Sequence, residues 1–129
     1  MIAIYLLDRY FMMKTVLIVD DSAVMRQTMK RILAANGFQV IGEAANGRIG
    51  VKKYKELKPD IVSMDVTMDE MSGIEALSRI MGHDPEANVV MVSSMGQEVI
   101  VRDARILGAK GFVLKPFDEN QVIEAFCKL

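Results

Sequence analysis

From Thr15 to the C-terminus, short apolar runs of strand length alternate with stretches of helical periodicity, and that alternation leaves very few folds open. The runs are Val16-Leu17-Ile18-Val19, Phe38 to Ala45, Ile61-Val62-Ser63-Met64-Asp65, Val89-Val90-Met91-Val92-Ser93 and Gly111-Phe112-Val113-Leu114. A short continuous apolar run bounded by turn residues marks a strand buried on both faces, as in a parallel sheet. Between the runs, Ser22 to Asn36 sets Val24, Met25, Thr28, Met29, Ile32 and Leu33 at helical spacing, with Gly37 as the stop. After the turn Asn46-Gly47, Arg48 to Leu57 reads as a helix ending ahead of Pro59, with Gly50 costing it about 1 kcal/mol relative to Ala. Ser72 with Glu75, Ser94 with Gln97 and Asp118 with Gln121 have the spacing that closes a helix N-terminus. They predict helices running to about Met81, to about Leu107 and over Val122, Ile123 and Phe126, with His83 in a polar loop. Connections this short require right-handed helical crossovers on both faces of a parallel sheet. The expected fold is α/β: a doubly wound, five-stranded parallel sheet with five helices.

At 129 residues such a chain is a single domain, able to bury roughly two-thirds of its unfolded surface without metal or disulfide support. Sixteen basic and 17 acidic side chains leave a net charge of -1, which argues against nucleic acid as a partner. The one cysteine, Cys127, cannot form an intramolecular disulfide and reads as a small apolar side chain on the last helix, so a reducing, cytoplasmic setting is expected. Residues 1–12 are apolar and include Tyr5, Tyr10 and Phe11, but they lack a basic start, and Asp8-Arg9 interrupt them well short of a membrane span. We expect an N-terminal apolar extension over 1–12, with Met13 as an alternative translation start, ahead of a domain over 13–129, and no membrane partner.

The carboxyl ends of the strands carry the chemistry. Asp20 and Asp21 follow the first strand, Asp65 ends the third, Ser93 the fourth, and Lys115 follows the fifth. In open α/β sheets the crevice beyond these ends is where ligands bind. Three carboxylates gathered there repel, and at least one pKa rises unless a cation neutralises them. An all-oxygen donor set without a His or Cys cluster favours Mg²⁺. A phosphoryl group completes the pocket: metal, Lys115 ammonium and Ser93 hydroxyl can each take one oxygen while a carboxylate attacks in line. Asp20-Asp21 alone would read as a helix N-terminus. Polar residues at four separate strand ends do not fit that reading.

The stretches Val19-Asp20-Asp21-Ser22, Met64-Asp65-Val66-Thr67-Met68, Val92-Ser93-Ser94 and Phe112-Val113-Leu114-Lys115-Pro116-Phe117 together resemble the receiver domain of two-component response regulators. The resemblance runs from about Met13 to Leu129, and Asn46-Gly47-Arg48, Tyr54 to Asp60 and Ser94 to Gln97 are similar to the stand-alone chemotaxis regulators of that family. It implies a flavodoxin-like strand order 2-1-3-4-5, which the alternation by itself does not supply. It also implies that Asp65 is the phosphoacceptor, Asp21 a direct Mg²⁺ ligand, Asp20 a second acidic residue acting through water, and the Thr67 carbonyl the remaining protein ligand. Ser93 is then the switch hydroxyl, Lys115 the cation that pairs with the phosphoryl group ahead of a cis Pro116 bond, and Phe112 the aromatic that swings inward. The implied partners are a histidine kinase and a downstream protein target, with the flagellar motor switch a candidate. A single-domain phosphorelay intermediate or phosphate sink is the alternative.

On this reading the chain is not an enzyme beyond accepting and slowly shedding its own phosphoryl group. Haloacid dehalogenase phosphatases need an acidic residue where Thr67 stands, and an FMN carrier needs a Ser/Thr/Gly-rich loop where Asp20-Asp21 stand. Two departures from the family pattern stand out: Asp69 occupies a place usually held by proline, and Phe112 lacks the phenolic hydroxyl of the best-known chemotaxis proteins. Thr67 and Met95, two positions after the phosphoacceptor and the switch residue, replace the amide and carboxylate of fast-resetting relatives and imply slow self-dephosphorylation.

Overall fold

The structure is a computed structural model and describes residues 13–129, so the expected extension over 1–12 lies outside the described residues. Five strands, β1 (Lys14–Val19), β2 (Phe38–Ala44), β3 (Ile61–Asp65), β4 (Val89–Ser93) and β5 (Gly111–Leu114), form one parallel sheet in the order β2-β1-β3-β4-β5. Five helices accompany them among the described residues: α1 (Ala23–Ala35), α2 (Gly47–Leu57), α3 (Gly73–His83), α4 (Glu98–Ile106) and α5 (Glu119–Phe126).

Side chains alternate across each strand, so an apolar run feeds two cores at once. In β1, Leu17 and Val19 pack with Val51 and Tyr54 of α2, Leu77 and Ile80 of α3 and Ala104 of α4. Val16 and Ile18 enter the other core with Met29 and Leu33 of α1 and Val122 and Phe126 of α5. Each fully buried Val, Leu or Ile contributes roughly 1.5–3 kcal/mol, which is why uninterrupted apolar runs select this double-sided arrangement. β1 has β2 on one side and β3 on the other, so the β1–β2 and β2–β3 crossovers run in opposite directions across the sheet and open a crevice between the β1 and β3 ends.

Local capping sets where most helices begin. The Ser22 hydroxyl accepts from the Met25 amide at 3.3 Å, Asn46 from Ile49 at 2.9 Å and Ser72 from Glu75 at 3.2 Å, while Asp118 and Gln121 form a complete capping box. Asn46, read from sequence as a turn residue, is thus a cap. α4 departs from expectation: it starts at Glu98, Gln97 in the cap position makes no side-chain bond, and Ser94 lies outside it. The reason is local, because the Met95 amide turns back to donate to the Ser93 hydroxyl at 2.9 Å, leaving 94–97 irregular. His83 also differs, being the last residue of α3 with its ring edge-on to Tyr54 at 6.5 Å rather than in a loop. Cys127 follows α5 and is exposed, not packed.

Two glycines let helices approach the strand ends. A Cβ at Gly50 would stand 2.9 Å from the Val19 methyls, so the residue that weakens α2 is the one that allows it against β1. At Gly73 a Cβ would lie 1.8 Å from the Asp65 carbonyl oxygen, while the Gly73 amide donates to the Val66 carbonyl at 2.7 Å. Any other residue there forces the start of α3 away from the end of β3.

Candidate functional site

The β1 and β3 ends bring the acidic residues together. Asp20 and Asp65 are each only 5% exposed, Asp21 is exposed, and one carboxylate oxygen from each lies within 4.8 Å of the others. The backbone ladder continues past the strands to fix them: the Asp20 amide donates to Ala44 at 3.0 Å and the Val66 amide to Val92 at 3.1 Å. The Ser22 amide donates to Asp20 Oδ1 at 2.9 Å. From the far side of the sheet, Lys115 is placed by its amide bond to the Ser93 carbonyl at 2.8 Å, and its peptide to Pro116 is cis. Its ammonium reaches Asp20 Oδ2 at 2.8 Å and Asp65 Oδ1 at 3.2 Å.

These groups perturb one another. Burial, and after it the charge of Asp20, pushes the Asp65 carboxyl from its usual 3.8 up to about 6, against the opposing pull of Lys115. Burial disfavours the Lys115 charge, but the hydrogen bond to Asp20 and the charges of Asp65 and Asp20 outweigh it, so its pKa is raised. A carboxyl whose folded pKa lies above its unfolded value supports stability fully at pH below the unfolded value. That support is lost as pH rises through about 6. At about 1.36 kcal/mol per pH unit, the cost of ionising Asp65 is on the order of 2–3 kcal/mol. In chelator, Asp65→Asn should therefore gain about 2 kcal/mol over the wild type between pH 4 and pH 7.5 in urea unfolding. A difference that does not change with pH would show that Asp65 ionisation carries no strain.

The remaining expected residues lie at different removes. Ser93 is buried at the end of β4, one residue beyond the Asp65–Val92 pairing, with its hydroxyl accepting from Met95. Thr67 is exposed in the loop after Asp65, and its hydroxyl donates to the Met95 sulfur at 3.7 Å. Phe112 is set apart: it pairs with Met91, is half-buried, and packs against the core beneath α4. Asp69 is exposed in a loop braced by the Met71 amide on its carbonyl at 2.8 Å and by Arg48 on Glu70 at 3.2 Å.

Sequence reading missed Arg26, whose Nη1 donates to the Asp20 carbonyl at 2.6 Å and whose Nε pairs with Glu43 at 3.1 Å. Its only signal was a basic residue on a helix that starts at the acidic pair. Chemically, the pocket offers three close carboxylate oxygens, one of them on an exposed residue, and no nitrogen or sulfur ligand in the cluster. That donor set fits a hard divalent cation such as Mg²⁺.

Comparison with known proteins agrees with this geometry. Residues 16–126 match the family model of the response regulator receiver domain. The chain is 53% identical to the chemotaxis protein CheY of Thermotoga maritima over 116 residues, covering 90% of this chain and 97% of that protein. It is 52% identical to CheY of Listeria monocytogenes, with 90% and 98% covered. Among solved structures, the CheX-CheY-BeF3-Mg²⁺ complex from Borrelia burgdorferi superposes with a TM-score of 0.87 at 42% identity, covering 89% of this chain and 87% of that one. The response regulator domain of Thermotoga maritima CheB gives a TM-score of 0.80 at 38% identity over 90% and 92%. With its acidic pair, strand-end aspartate and bridging lysine in one crevice of a 2-1-3-4-5 sheet, this chain belongs to the response regulator receiver domain family.

Proposed function

We propose that the chain is the phosphoacceptor switch of a chemotaxis pathway, taking a phosphoryl group from a histidine kinase onto Asp65. The observation that carries this is the buried Asp65 carboxylate, held 3.2 Å from a lysine that also grips Asp20 in a metal-competent acidic pocket. A carboxylate oxygen of Asp65 attacks the phosphorus of a phosphohistidine; the P–N bond breaks and the imidazole leaves with the electron pair and takes up a proton. Lys115 pairs with a phosphoryl oxygen as the new charge arrives. Asp21, Asp65 and the Thr67 carbonyl would hold Mg²⁺ directly and Asp20 through water; bound there, it supplies positive charge against the carboxylates and the phosphoryl oxygens. The chain acts on itself alone, so it is a substrate of the kinase rather than an enzyme in its own right.

The signal then needs a bistable element. The Ser93 hydroxyl gives up the Met95 amide and donates to a phosphoryl oxygen, and Phe112, half-buried on the adjacent strand, moves into the space released. The face of α4 and β5 thereby changes its affinity for a downstream protein. Similarity to CheY proteins supports chemotaxis over a phosphorelay intermediate or phosphate sink. The reading is tested by capture from extract with beryllofluoride, an acyl-phosphate mimic, present or absent. Wild type should retain a flagellar motor component only with beryllofluoride, Ser93→Ala should retain far less, and a chain starting at Met13 should match wild type. Equal retention by wild type and Ser93→Ala rules out the switch role, and capture of a phosphotransfer protein instead favours the relay.

A further inference from the structure

We propose that Arg26 is a positioning residue for the acidic pocket, and that its grip on the Asp20 carbonyl sets how tightly the pocket holds a divalent cation. This rests on the reading that the pocket takes Mg²⁺.

The peptide between Asp20 and Asp21 decides where the Asp21 carboxylate stands. Upstream, the Asp20 amide is tied to Ala44 at 3.0 Å, and the Asp20 carboxylate is held by Ser22 and Lys115. The Asp21 carboxylate is exposed and has no hydrogen-bond or ion-pair partner among the described residues, so its place depends on its backbone. Arg26 holds that backbone, with Nη1 on the Asp20 carbonyl at 2.6 Å.

Arg26 is itself held. Its side chain is 19% exposed, and its Nε pairs at 3.1 Å with Glu43 of β2, which also faces Lys30 at 3.7 Å and accepts from Lys53 through its main-chain carbonyl. Its own amide bonds the Ser22 carbonyl at 3.0 Å in the first turn of α1. A planar guanidinium can bridge a carbonyl and a carboxylate at once from one fixed orientation, which a lysine ammonium cannot reproduce. The fork thus couples β2 and α1 to the one peptide that aims the metal-side aspartate. Groups that orient ligands in this way typically change metal affinity by about 10–100-fold when removed.

The test is Mg²⁺ titration of the full, unphosphorylated chain by calorimetry or amide NMR, with thermal unfolding in chelator run alongside. Arg26→Gln should raise the Mg²⁺ Kd at least about tenfold. Arg26→Lys, which keeps the charge but not the fork, should recover only part of that loss, and Glu43→Ala should raise the Kd about threefold, between wild type and Arg26→Gln. Folded Arg26→Gln with a Kd within about twofold of wild type overturns the proposal, and so does full recovery by lysine, which would leave charge alone as the cause. Should Arg26→Gln fail to fold, Glu43→Ala decides: a weaker Kd supports the role, and an unchanged one overturns it. A wild type that binds no Mg²⁺ overturns the metal reading of the pocket itself, an outcome distinct from any ranking of the Arg26 variants.

Discussion

Asp65→Asn is expected to abolish labelling of the chain by acetyl phosphate or phosphoramidate, and excess chelator is expected to suppress labelling of the wild type at least about a hundredfold. The first effect follows from nucleophilicity: an amide oxygen or nitrogen does not displace a phosphoryl leaving group where a carboxylate does. The second follows from charge. Carboxylate oxygens of Asp20, Asp21 and Asp65 lie within 4.8 Å of one another, and among the described residues only Lys115 bridges two of them. Two unit charges at about 4 Å interact by roughly 4 kcal/mol at an effective dielectric near 20, so a dianionic donor approaching without a divalent cation meets a barrier worth several factors of ten. Asp21→Asn should fall between these extremes, since it lowers the repulsion and removes a metal ligand together. Mass spectrometry of the trapped adduct decides the assignment. A phosphoryl group on another residue, or full labelling in chelator, would mean that the pocket has been read wrongly.

The two-sided core was legible because β1 is apolar at consecutive positions from Val16 to Val19, and only a sheet covered on both faces buries such a run. Helix starts were legible where the cap is a bond between residues three apart, as with Ser72 and Glu75 or Asp118 and Gln121. The same spacing misled at Ser94. The neighbouring Ser93 hydroxyl captures the Met95 amide first, and a buried serine at a strand end has no signature distinguishing it from a cap. Strand order was supplied by family resemblance, because periodicity identifies parallel strands without naming their neighbours. The acid trio and Lys115 were legible since each ends or follows an apolar run, and topology then forces them together. Arg26 was not. Its partners are a main-chain carbonyl and a glutamate on another strand, and neither leaves a mark on the helical pattern around it.

Replacing Thr67 by Asn and Met95 by Glu together should shorten the life of the phosphorylated state by about a hundredfold, the low end of what a positioned proton acceptor supplies. Hydrolysis of an aspartyl phosphate needs a water held in line with the phosphorus. Thr67 and Met95 stand two positions after the phosphoacceptor and the switch residue, and their side chains meet at 3.7 Å with the threonine hydroxyl donating to sulfur. A thioether is a weak acceptor, so neither side chain is suited to orient a water: the hydroxyl is turned toward Met95, and the methionine has nothing to donate. Met95 is 39% exposed, which leaves room for a longer polar side chain without rebuilding the core. A carboxylate there can accept from the water while an amide at Thr67 donates to it. Because the two residues touch, the double variant should exceed the combined effect of the single changes. Phosphoryl decay followed after removal of donor separates the cases. Acceleration in the double variant supports a water-holding role for these positions, whereas decay at the wild-type rate would show that the in-line water is held elsewhere.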